Sequence, residues 1–349
     1  MSVDPAPVAT LPGHLVVRTG PVSVLVHRRA LLVAVALGAA LAAAVVASLS
    51  FGEVTVAPAA VVRALFTGGT DYDLIVRELR LPRTVLAAVT GTAFGLAGAL
   101  VQSVTRNPLA SPDVIGITQG AGLAATVALA GGAAAALVAP SALAGGLLAA
   151  AAVFALGARH GLAAQRFVLA GVGVSFALRA LIEIVLVSAD AIDAQRAQIW
   201  LIGSLNGRGW TESVGIGVVL VAALPALAWA ARALRTTALD DDTARGLGAR
   251  PAVRRFGLGA VGAVLAAAAT AQVGAVDFVA LVAPQVARRL AGTERPPLVG
   301  AALAGAALVV LADLAGRRLL APVQLPAGVL TAAIGGPYLV YLLMKGRRS

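Results

Sequence analysis

Ten separate stretches of this chain are apolar over most of a bilayer's thickness, and very few folds can accommodate that. The windows fall at about 30–50, 83–104, 114–132, 138–158, 167–189, 212–233, 257–275, 278–290, 298–315 and 326–344. A helical span needs about 20 apolar residues to cross a hydrocarbon core about 30 Å thick. The eighth window is short, and it is kept because it preserves the alternation of inside and outside. Unpaired backbone N–H and C=O groups are not tolerated in lipid. The expected fold is therefore all-α, a polytopic bundle of about ten transmembrane helices. Composition agrees, with 59% hydrophobic and 12% charged residues and a mean hydropathy of +0.92, far from soluble averages.

The net charge of +11 does not indicate a nucleic-acid partner. With the N-terminus inside, the cytoplasmic segments hold more than twice as many basic residues as the outer ones. This is the bias that sets membrane topology. Residues 1–26 read as a loose cytoplasmic tail and 27–349 as one ten-helix domain, with an inner coupling loop at about 235–256. The first window is too long for the core of a signal peptide and is expected to stay in the membrane. The absence of cysteine excludes a disulfide.

Other absences narrow the chemistry. A nucleotide-binding Walker loop requires Gly-Lys-Ser/Thr. The single lysine, Lys345, follows Met344, so any ATP hydrolysis must reside on another subunit. The histidines are His14, His27 and His160, too few and too scattered for a metal site within the spans. No catalytic set and no cofactor site can be assembled. A bare transition-metal ion does not fit as cargo, whereas a metal inside an organic chelate needs no protein ligands. Gly91, Gly95 and Gly98 recur on one helix face. They allow either close helix approach or a smooth wall for a bulky cargo.

Two blocks carry a more specific signal. Residues 80–116 run RLPRTVLAAVTGTAFGLAGALVQSVTRNPLASPDVIG: an arginine-flanked start, a small-residue helix and a tight polar exit. Residues 312–343 contain Ala312, Asp313, Arg317, Leu325, Pro326, Gly328, Thr331, Ala332, Gly335 and Pro337 in a fixed order. Together they resemble the iron-siderophore and vitamin B12 family of ABC-importer permeases, over about residues 30–345. The resemblance implies a fold like that of the vitamin B12 permease, with two halves of opposite topology. It implies a bacterial cytoplasmic membrane protein with both termini inside. The implied partners are a second permease chain, two ATPase subunits and an extracytoplasmic substrate-binding lipoprotein, with a ferric siderophore as cargo.

The same resemblance assigns roles to residues. Arg80, Arg83 and Arg317, with Arg318 as a weaker candidate, would receive carboxylates of the binding protein through charge-assisted bonds. Asn107, Pro108 and Leu109, with Ala164 and Gln165, would form the cytoplasmic gate. At the last two positions the family has hydroxyl residues and this chain does not. Asp240, Asp241, Asp242, Ala244, Leu247 and Gly248 would form a short coupling helix that docks on the ATPase. The acids favour its N-terminus, and Gly248 favours its stop.

Arg179 and Glu183 lie four residues apart within a span, which places them on one helix face as a neutralising pair. The family's common glycine and histidine are replaced by Ala280 and Gln285. With QIWLIGSLNGRGW at 198–210, this most resembles one subunit of ferric-enterobactin-type importers, often built from two different permease chains. Two alternatives stand beside this reading. One is vitamin B12 or haem import within the same family. The other is a proton-coupled transporter using Glu183, Asp277 or Asp313 as a relay.

Overall fold

The computed structural model describes residues 14–19, 22–158, 164–236, 241–246, 248 and 250–346. Each of the ten apolar windows is a helix: α1 (Arg28–Ser50), α3 (Leu81–Thr105), α4 (Ile117–Ala130), α5 (Ala135–Ala158), α6 (Ala164–Ser188), α8 (Trp210–Thr236), α10 (Pro251–Val273), α11 (Val279–Ala291), α12 (Leu298–Arg318) and α13 (Ala327–Gly346). Seven of these are long and apolar enough to cross a membrane, while α4 and α13 are shorter apolar helices. The thirteen residues of α11 reach only about 20 Å.

Three short helices escape the hydropathy pattern. They are α2 (Pro58–Phe66), α7 (Ala191–Ile202) and α9 (Asp241–Gly246). A π-helical segment, Leu74–Arg80, leads directly into α3. The tail expected to be loose contains an antiparallel hairpin, β1 (His14–Thr19) with β2 (Val22–His27). Its β-branched runs flank Gly20–Pro21 in sequence, a turn signal.

Helix α3 is the hub. Most of its residues are buried, whereas α1, α6 and α8 are largely exposed. Closest approach is made backbone to backbone. A Cβ added at Gly91 would lie 2.3 Å from the Gly305 carbonyl oxygen, and one at Gly305 would lie 2.1 Å from the Gly91 oxygen. A Cβ at Gly95 would meet Ala301 O at 2.1 Å, and one at Gly98 would meet Ala280 O at 1.7 Å. The glycine face of α3 is thus filled by α12 and α11 and is not a wall for cargo. Gly120 and Gly145 repeat the device between α4 and α5.

Two non-helical stretches complete the short helices. Residues 106–116 precede α4, and 274–278 precede α11. Irregular backbone at membrane depth must be shielded by protein, and here it is. Gly274 packs on the Trp200 carbonyl, Gly203 on Ala275 O, and Gly328 on Ile202 O. The Ser204 N–H donates to Val273 O at 2.8 Å. The Gly328 of the C-terminal block is therefore a contact residue between the start of α13 and the turn after α7.

Candidate functional site

At the expected outer end, the arginines at the start of α3 and the end of α12 converge on one carboxylate. Asp313 is 2% exposed. Arg83 Nε donates to its Oδ1 and Oδ2 at 2.9 and 3.1 Å, and Arg83 Nη2 lies 2.8 Å from Oδ1. Arg317 Nε pairs with Oδ2 at 3.0 Å, while its Nη2 donates to Ser48 Oγ at 2.7 Å. Ser48 in turn shares a 2.8 Å hydrogen bond with Thr84. Arg83 also reaches outward, its Nη1 donating to Gln324 Oε1 at 3.1 Å and Asn206 Oδ1 at 3.3 Å. Asn206 and Gln324 line a cavity of about 480 Å³ together with Arg196 and Arg208.

Arg80 does something different. Its Nη1 donates to the carbonyls of Leu49 at 2.7 Å and Ser50 at 3.1 Å, at the end of α1. A helix leaves its last carbonyls unpaired and carries partial negative charge there, so the guanidinium closes α1. Arg318 lies on the exposed side and donates to Gly52 O at 2.8 Å. Ahead of α3, Asp73 accepts from the Thr70 hydroxyl and from Gly69 N–H at 2.7 Å. The Thr70 bond foremost holds its carboxyl below the ordinary value.

At the expected cytoplasmic end, α3 stops where Arg106 adopts a left-handed conformation at φ 49°. Asn107 Oδ1 accepts from Leu109 N–H at 2.9 Å, and the Asn107 N–H returns to Gln102 O at 3.2 Å. Pro108 prevents the helix from resuming. The tip of this loop touches a buried amide relay. Gln285 Nε2 donates to Gln102 Oε1 at 2.6 Å and to Pro108 O at 3.0 Å, and Gln102 Nε2 donates to Leu281 O at 3.1 Å. Pro284 removes the N–H that would bind the Ala280 carbonyl, and Gly98 packs against that free oxygen. Further along the loop, Asp113 accepts from the Thr118 hydroxyl at 3.0 Å, and across from it Phe278 is held at φ 66°.

The other expected residues are placed less completely. Ala164 and Gln165 open α6. Asp241 and Asp242 open α9, Ala244 is 4% exposed, and Gly248 turns the chain at φ 76°. Asp240 and Leu247 lie outside the described residues. The expected Arg179–Glu183 ion pair is not formed. Both side chains are exposed on α6, and among the described residues no ion pair joins them. Helical spacing gives them one face, and both side chains are exposed there. The charge neighbour of Arg179 is instead Asp277, which also faces Asp113.

A glycine-packed bundle of long apolar helices, with irregular elbows buried in protein, is the architecture of a multi-pass membrane protein. The chain belongs to the FecCD transport family, whose model matches residues 31–345. It is 42% identical over 313 residues to the achromobactin transport system permease protein CbrC of Dickeya dadantii (strain 3937), covering 87% of this chain and 89% of that one. It is 38% identical over 326 residues to the ferric enterobactin transport system permease protein FepG of Escherichia coli (strain K12), covering 93% and 99%. The vitamin B12 import system permease protein BtuC of Escherichia coli O9:H4 (strain HS) is 33% identical over 282 residues, covering 79% and 85%. Among solved structures, a metal-chelate-type ABC transporter in an inward-facing conformation superposes with a TM-score of 0.78 at 26% identity, covering 90% of this chain and 99% of that one.

Sequence reasoning singled out the arginines, the loop and the short helix, which the structure places at the start of α3 and end of α12, after α3, and at α9. It missed the Gln102–Gln285 relay and the role of Asp313 as the shared counter-ion. The available signal was two glutamines and one aspartate inside otherwise apolar windows, where polar groups demand partners.

Proposed function

We propose that this chain is the membrane subunit of an ATP-driven importer that passes a ferric siderophore across a bacterial cytoplasmic membrane. The observation that carries the reading is the likeness over nine-tenths of the chain to a metal-chelate-type transporter, joined to relatives named for achromobactin and ferric enterobactin. The chain has no Walker lysine of its own, so two ATPase subunits would supply the energy, engaging α9 and its flanks, Asp240 to Gly248. A second permease chain, homologous but different in sequence, would cover the exposed face of α6 that carries Arg179 and Glu183. Residues 107–109, with Ala164 and Gln165, would gate the inner side. Both termini would face the cytoplasm.

A binding lipoprotein would deliver cargo at the outer end. Arg83 is the natural contact there, because its Nη1 already reaches the surface amides of Asn206 and Gln324. Arg80 and Arg317 would support it from beneath, with Arg318 exposed alongside. Reconstituted with its ATPase, partner permease and binding protein, the chain should take up ferric siderophore only with hydrolysable ATP. Uptake that persists without the ATPase and collapses with the proton gradient would overturn this reading in favour of a proton-coupled carrier.

A further inference from the structure

The amide relay at the inner end of α3 is more than packing. Gln102 and Gln285 are 4% and 1% exposed. Their orientations are fixed from both ends, because the carbonyls of Leu281 and Pro108 can only accept. Pro108 O therefore requires Gln285 Nε2, which requires Gln102 Oε1, which leaves Gln102 Nε2 for Leu281 O. At the loop tip, the Leu109 and Ala110 N–H groups donate to Asn107 and the Asn107 N–H donates to Gln102 O, all local bonds. The bond from Gln285 to Pro108 instead spans 177 residues.

The relay also has one open position. Gln285 Oε1 is buried with no hydrogen-bond partner. A buried acceptor left without a donor weakens its arrangement relative to any other in which a donor arrives.

From this geometry we infer that Gln285 is the positioning residue of the cytoplasmic gate. Its amide ties the tip of loop 107–109 to α3 and α11 in the arrangement seen here, and its unpaired oxygen keeps that tie exchangeable. The inference rests on reading the loop as the gate. Gln285 acts through Pro108 and touches no cargo.

The chain contains no cysteine, so single thiols report cleanly. Ala110, 3% exposed beside the loop, and Ala271, 2% exposed in α10, supply buried positions near and far from the relay. In the assembled transporter in nanodiscs, labelling of Ala110→Cys by a membrane-impermeant maleimide should rise about tenfold when Gln285→Leu removes both donors. Gln285→Glu above its titration range should do the same, since a carboxylate there faces two acceptors. Gln285→His keeps one N–H and should give a smaller rise, so a Leu variant that fails to assemble does not end the test. Labelling of Ala271→Cys should stay unchanged throughout.

Unchanged labelling at Ala110→Cys in all three variants, or an equal rise at both cysteines, overturns the inference. Faster Ala110→Cys labelling with normal coupled uptake and no cargo leak supports the tether and overturns the gate reading instead.

Discussion

Asp313 holds two guanidinium groups where water is largely excluded, and such triads are fragile to single substitutions. A buried pair adds little net stability over an apolar replacement, but removing one partner strands the other and costs about 3–5 kcal/mol. Asp313→Ala leaves Arg83 and Arg317 facing each other. The folded yield after detergent extraction, and the thermal midpoint, should fall sharply. The triple change Asp313→Leu, Arg83→Leu and Arg317→Leu should be milder than Asp313→Ala alone, because no unpaired charge remains. A triple variant worse than the single would show that the network does more than neutralise itself.

Single residues were legible by type rather than by partner. The arginines stood out because the expected topology puts them on the side that usually avoids them, yet nothing in sequence shows that Arg80 closes α1 while Arg83 grips Asp313. Arg179 and Glu183 illustrate the opposite error. Spacing identifies a shared face, but it does not say that the elbow before α11 brings the Asp277 charge near Arg179.

Among elements, the crossing of α3 over α12 is set by Gly91 and Gly305, each in contact with the other's carbonyl. Any side chain there must push two backbones apart, and overpacking a close contact costs about 1–3 kcal/mol or more. Gly305→Val should abolish assembly, and Gly91→Ala should lower the thermal midpoint. Gly217 on α8 has nothing within 4 Å of an added Cβ, so Gly217→Ala should be neutral or slightly stabilising in the same assay.

The long helices were readable because hydropathy survives averaging over about 20 residues. The π-helical segment, α2 and α7 were not, since their apolar residues are few and mixed with charge. The turn at Asn107–Pro108 was legible, but the elbow at 274–278 was not, because what permits it is glycine contact from distant elements.

At the scale of the whole molecule, the exposed helices α1, α6 and α8 surround a buried hub, and the short helix α9 lies between the ends of two spans. A partner groove that accepts α9 and its flanks would be apolar at Leu247. Leu247→Asp introduces a charge that such a groove cannot solvate. It should abolish co-purification of the ATPase and ATP-dependent uptake, while the permease keeps its parental thermal midpoint. Retained co-purification with retained uptake would remove α9 from the coupling surface.

The grip of Arg83 on Asp313 has a consequence for biogenesis. The two residues are separated by 230 positions, and a ribosome adding about 5–20 residues per second needs roughly 10–50 s to cover that distance. During that interval the glycine face of α3 has no α12 to pack on and Arg83 has no Asp313, whereas Arg80 can already close α1. Helices α10 to α12, which will enclose it, do not yet exist. The close packing of α3 against α11 and α12 is therefore a late step of assembly, completed only after the C-terminal third emerges.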